Sequence, residues 1–167
     1  MNDLLDSVIA AHGGLDRWRT VRAIDLTFNF YGGLLDIKGF PGHHRPSASV
    51  DAATPRTVFQ RLGDESDDRW IFTPNRVWIE RRDGTVVEER SDPRAAFAGH
   101  VRETRWDRLH LTYFLGYAVW NDLTTPFYGR RACAHEGPTA LFRPRFHAET
   151  ARLRHRRAPR RRRALLL

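Results

Sequence analysis

One cysteine, Cys133, one methionine and one lysine, Lys38, are all that 167 residues hold of those three types. A lone cysteine excludes an intramolecular disulfide, and with no second cysteine beside it there is no zinc-ligand spacing. The longest apolar stretch, residues 111–120, falls well short of the ~20 residues a membrane-spanning helix needs. The opening MNDLLDSVIAAHGG has no basic segment and places Asp3 and Asp6 where a secretory signal would be apolar. A cytoplasmic protein is the expectation. GxSxG, the P-loop, GxGxxG and HExxH are also missing, which removes the usual signatures of hydrolases, nucleotide and dinucleotide binders and zinc proteases.

Charge is present in excess but unevenly. Residues 1–128 carry 16 basic and 18 acidic side chains, a net of −2, whereas residues 129–167 carry 12 and 2, a net of +10. The basicity therefore belongs to the C-terminal segment, and 27 of the 28 basic residues are arginine, a bias that GC-rich coding explains before function does. Two regions follow: a single α+β domain over residues 1–128 and a basic, low-complexity, disordered tail over 129–167. The tail shows no sustained period of two or 3.6, and a chain so charged buries too little surface to offset its ordering entropy.

Within the body, Leu4, Leu5, Val8 and Ile9 form the stripe of a short first helix ended by Gly13-Gly14, with another turn over residues 15–19. Ile24, Leu26, Phe28 and Phe30 then alternate with polar residues, the period of a half-buried strand. Gly32-Gly33 predicts a hairpin into a second strand, LLDIKG. Short strands follow near residues 47–52, 56–62, 69–73, 77–80 and 85–90, separated by Pro and Gly-Asp or Asp-Gly punctuation. Connections this short exclude parallel neighbours, so the sheet is predicted to be an antiparallel meander. Asp92-Pro93 opens a turn or two of helix. The region 104–127 predicts the main helix, starting at Thr104 or Asp107 and ending between Asn121 and Pro126. Its aromatic stripe, Trp106, Tyr113, Tyr117 and Trp120 with Phe114 beside it, is expected to lie against the concave face of a curved sheet.

Several residues carry chemistry on paper. Asp107 and His110 stand three apart, the spacing for a carboxylate-oriented general base, and equally the spacing of a helix-start carboxylate beside a half-exposed histidine. His12 beside Gly13 predicts a carbonyl-binding helix end. His43-His44, His100 and His135-Glu136 give no metal-ligand pattern, so neither metal nor cofactor is expected. Trp106, Tyr113, Phe114, Tyr117 and Trp120 are candidates to line a site for a lipid or other apolar ligand, with core packing as the alternative. Arg156, Arg157, Arg160, Arg161, Arg162 and Arg163 offer nonspecific attraction to nucleic acid and other polyanions.

The segments AHGGLDRW (11–18), FTPNRVWIE with DGTVVEER (72–90) and WDRLHLTYFLGYAVWNDLTTPF (106–127) resemble a family of uncharacterised actinobacterial proteins. The resemblance implies a LolA-like, lipoprotein-carrier-like curved antiparallel sheet, an incomplete half-barrel plugged by helices, and a non-enzymatic role with an apolar ligand. A hydrolase-like enzyme using Asp107 and His110 is the alternative. The resemblance covers residues 1–127 and stops there. The abrupt change of composition is what a shifted reading frame or a truncation would produce, and loss of closing strands would impair the function and leave an open sheet edge for self-association.

Overall fold

Alternation sets the first strand, as the sequence predicts, and the rest of the sheet is laid down beside it. The computed structural model describes residues 2–63, 66–132 and 147–155. Helices α1 (Asn2–Ala11) and α2 (Gly14–Thr20) lead into β1 (Val21–Asn29), followed by α3 (Gly33–Lys38), β2 (Ser47–Asp51), β3 (Thr57–Gln60), β4 (Arg69–Thr73), β5 (Arg76–Glu80) and β6 (Val86–Ser91). A single 3-10 turn at Ala95–Phe97 precedes α4 (Arg108–Ala132), and β7 (His147–His155) is the last described element. All neighbours pair antiparallel, in the order β6-β5-β4-β3-β2-β1-β7. The protein is thus α+β, with an open seven-stranded sheet.

One face of that sheet is the core. Ile24, Leu26 and Phe28 of β1 turn inward with Val50, Phe59, Trp70, Phe72, Val77 and Ile79, and α4 lies across them with Leu111, Leu115 and Val119. Each such aliphatic side chain contributes about 1.5–3 kcal/mol by leaving water. The helix also bonds to the sheet. Thr57 Oγ1 donates to Gly116 O at 3.2 Å, and Trp120 Nε1 donates to Asp51 O at 3.0 Å.

Three expectations are corrected. LLDIKG is not a strand but α3, since its apolar residues do not alternate: Leu35 and Lys38, three apart, are the buried pair. Gly39, at φ 102°, ends it in the left-handed region, and Phe40 N–H closes back on Leu35 O at 2.9 Å. Second, α4 runs through Pro126 to Ala132. Proline lacks the N–H that the preceding turn would bond, but residues beyond it are anchored from outside: Phe127 stacks on Trp18 at 4.0 Å, and Tyr128 OH donates to Ala52 O and Ala53 O at 3.0 and 2.7 Å.

Third, residues 147–155 of the basic tail form β7 on the free edge of β1, with Asp25 opposite Arg152 and Thr27 opposite Thr150. Two register shifts interrupt the ladder. Main-chain pairing needs no apolar pattern, which is why composition does not reveal this strand. Residues 150–155 are all exposed, so these residues extend the sheet without filling the core. Residues 133–146 and 156–167 of the tail, with Cys133, His135-Glu136 and the six arginines from Arg156 to Arg163, lie outside the described residues.

Candidate functional site

The N-terminal end of α4 gathers the Asp–His pair with the rings of Phe97, Trp106, Tyr113 and Phe114. Asp107 is the residue before the helix, and its carboxylate Oδ1 accepts from the His110 backbone N–H at 2.8 Å. His110 reaches back, its Nδ1 accepting from Asp107 N–H at 3.3 Å. This is a reciprocal cap, in which the first and fourth residues of the helix start satisfy each other's orphaned donors. The other imidazole nitrogen, Nε2, donates to Ala96 O at 3.2 Å.

Arg90 of β6 joins the pair from the sheet, its Nη2 donating to Asp107 Oδ2 at 2.6 Å. Burial by itself would raise the Asp107 carboxyl. The Arg90 hydrogen bond, the His110 backbone N–H and the nearby positive charge outweigh it and hold the carboxyl at about 2. The Nδ1 of His110 also stands 2.8 Å from Asp107 Oδ1, so an imidazolium would donate to the carboxylate there. Every polar atom of the pair is thus engaged in fixing the helix start. Among the described residues no nucleophilic side chain is hydrogen-bonded to His110. The pair thus forms a helix cap, and Asp107 an ion pair with Arg90.

Around the cap the rings pack on Phe97, whose centroid lies 4.8 Å from that of His110, 5.4 Å from His100 and 5.7 Å from both Trp106 and Tyr113. Burial, and then the charges of His110 and Lys38, lower the pKa of His100 below the usual imidazole value. Lys38 itself is buried, donating to Val101 O at 2.9 Å and Thr104 O at 3.1 Å with its ammonium over the Trp106 ring. It pins the loop that precedes α4 to α3. The sequence reading missed Lys38 and Arg90, because their partners lie far along the chain. Its uniqueness as the only lysine was the available signal for Lys38.

The five aromatic candidates are not one covered stripe. Trp120 is sealed, whereas Trp106, Tyr113 and Phe114 are half-buried and Tyr117 is 48% exposed. Trp106 precedes the helix rather than belonging to it. The buried face is centred on Gly116, with Thr112, Val119 and Trp120, so Tyr113 and Tyr117 fall on its flank. There they stack at 6.2 Å, both edge-on to Phe72. Trp106 and Phe114 pair at 4.9 Å. His12 is where it was expected, its Nδ1 donating to Val8 O at 2.7 Å at the end of α1.

No group of three or more histidine, cysteine or carboxylate side chains able to hold a metal occurs among the described residues. None of their helices is long and apolar enough to cross a membrane. Comparison with protein-family models, curated proteins and solved structures gave no match.

Proposed function

We propose that the protein is a non-enzymatic carrier or binder of a lipid or other apolar ligand, held along the outward flank of α4, in the cytoplasm. The LolA-like resemblance of residues 1–127 points the same way. The carrying observation is the partial use of the α4 aromatics by the core: Tyr117, 48% exposed, continues a half-buried ring surface through Tyr113, while Phe114 and Trp106 offer a second such pair. Rings presented in this way cover an alkyl chain at low entropic cost, since each has few side-chain torsions to fix. The enzymatic alternative loses support because Asp107 and His110 are consumed by the helix cap and Arg90.

The test is a titration of the full chain with a long-chain fatty acid, followed by tryptophan fluorescence, alongside native mass spectrometry for co-purified lipid. Binding that weakens about tenfold in Tyr117→Asp and Phe114→Asp, for roughly 1.4 kcal/mol each, supports the proposal. A protein that carries no lipid and takes up no fatty acid, or one that binds equally well with both substitutions, refutes it.

A further inference from the structure

The face of the sheet turned away from α4 holds a cavity of about 480 Å³ across β7, β1, β2 and β3, within the ~300–1,000 Å³ of small-molecule sites. Its floor is ordered by strand register. Thr150, Thr27, Ser47 and Gln60 stand opposite one another on successive strands, a cross-strand row with neighbours about 4.8 Å apart. Beside it runs a second row, Arg152, Asp25, Ser49 and Val58. Three of the four positions in the first row are hydroxyls and the fourth is an amide, all able both to donate and to accept.

The charges in the second row are unequal. Asp25 is occupied by Arg154, whose Nε stands 2.6 Å from Oδ2 and whose Nη2 donates to Oδ1 at 2.9 Å. Arg154 also donates to Ser49 Oγ. Arg152, which lines the cavity, makes no ion pair or side-chain hydrogen bond among the described residues. One guanidinium is thus left over at the β7 end of the second row, alongside the row of neutral hydrogen-bonding groups, with the apolar Val58 at the β3 end.

The geometry points to this cavity as a binding site for a polyhydroxylated carboxylate of the sugar-acid class. The carboxylate meets Arg152, the hydroxyls lie over Thr27, Ser47 and Gln60, and a C–H face rests on Val58. A guanidinium takes a carboxylate by paired hydrogen bonds in its own plane, which a neutral sugar cannot exploit. The site is separate from the α4 flank, on the opposite face of the sheet, so neither proposal depends on the other.

Calorimetric titration of the full chain with D-gluconate tests it, with acetate as a carboxylate lacking hydroxyls and sorbitol as a polyol lacking charge. Gluconate is expected to bind about tenfold or more tightly than either. Arg152→Gln should reduce gluconate to the sorbitol level, and Thr27→Val or Ser47→Ala should weaken gluconate while leaving acetate unchanged. Circular dichroism checks that each variant is folded, and Arg152→Lys, which keeps the charge but not the planar fork, is expected still to weaken gluconate relative to the parent should Arg152→Gln perturb the edge strand. Tyr117→Asp should bind gluconate as the parent does. The proposal is overturned by no gluconate binding at millimolar concentration, by acetate binding as tightly as gluconate, or by gluconate binding that survives Arg152→Gln. The last two results would assign the attraction to the protein's general positive charge.

Discussion

Gly116 of α4 rests on Phe72 of β4 so closely that a Cβ at position 116 would stand 2.3 Å from the Phe72 Cβ. Neither atom is the free end of a flexible side chain, so relief requires the helix itself to lift. Gly116→Ala would improve helix propensity by up to ~1 kcal/mol in isolation, but overpacking of this kind costs about 1–3 kcal/mol. Net destabilisation is expected, read as a lowered urea midpoint with an unchanged slope. A midpoint at or above that of the parent would show that α4 is not seated on Phe72.

The Asp107 cap predicts an acid limb in the stability curve. Its folded carboxyl, at about 2 against an ordinary 3.8, favours the folded state above pH ~4, and that contribution is lost as the pH falls from ~4 toward ~2. Because the side chain is 48% exposed, solvent screening leaves roughly 1 kcal/mol of it. Asp107→Asn keeps an acceptor for the His110 N–H but loses the Arg90 ion pair. Denaturant titrations at pH 6 and pH 2.5 should find the variant about 1 kcal/mol weaker at the higher pH and only roughly a third of that weaker at the lower, where the folded carboxylate has begun to protonate.

Lys38 should prove worth more than a surface lysine. Lys38→Met retains much of the apolar stem but leaves the Val101 and Thr104 carbonyls without their donor, at a cost of about 2 kcal/mol. The loop before α4 would loosen with it. Trypsin cutting at Arg102 and Arg105 is the readout: a clear acceleration relative to the parent is expected, and an unchanged digestion pattern would place the loop's stability elsewhere.

Truncation after residue 146 removes β7 while taking no described apolar side chain out of the core, since residues 150–155 are exposed. A small shift in melting temperature is expected together with concentration-dependent association, because the β1 edge loses its partner. Gel filtration over a range of concentrations measures this. A monomeric truncate, or a fall of many degrees, would contradict it.

Much of this fold is legible where one residue pattern decides the outcome. The alternation from Ile24 to Phe28 could only be a half-buried strand, and the punctuation between residues 51 and 85 could only join antiparallel neighbours. Reading failed where a tertiary partner outweighed the local signal. Gly32-Gly33 suggested a hairpin, but Leu35 and Lys38 found burial by turning as a helix. Pro126 suggested a helix end, but Trp18 and two β2–β3 loop carbonyls hold the chain beyond it. Aromatic mass alone points Tyr117 to the buried face, whereas the smallness of Gly116 marks where the sheet comes closest. At the candidate site, the spacing of Asp107 and His110 foretold their contact. It could not foretell that Arg90, on a strand, would complete it.

The pairing of β7 with β1 also sets an order of events. Arg154 and Asp25 meet across 129 positions of sequence, whereas the paired residues of β1 through β6 lie at most 28 positions apart, at Ala23 and Asp51. Contacts closing so long a loop form late, after the local hairpins have paired. During synthesis from the N-terminus, β1 must therefore wait with one side open until residues 147–155 have emerged. Its Arg22 and Asp25 are charged breaks in that waiting edge, which makes these two side chains as relevant to the nascent chain as to the finished sheet.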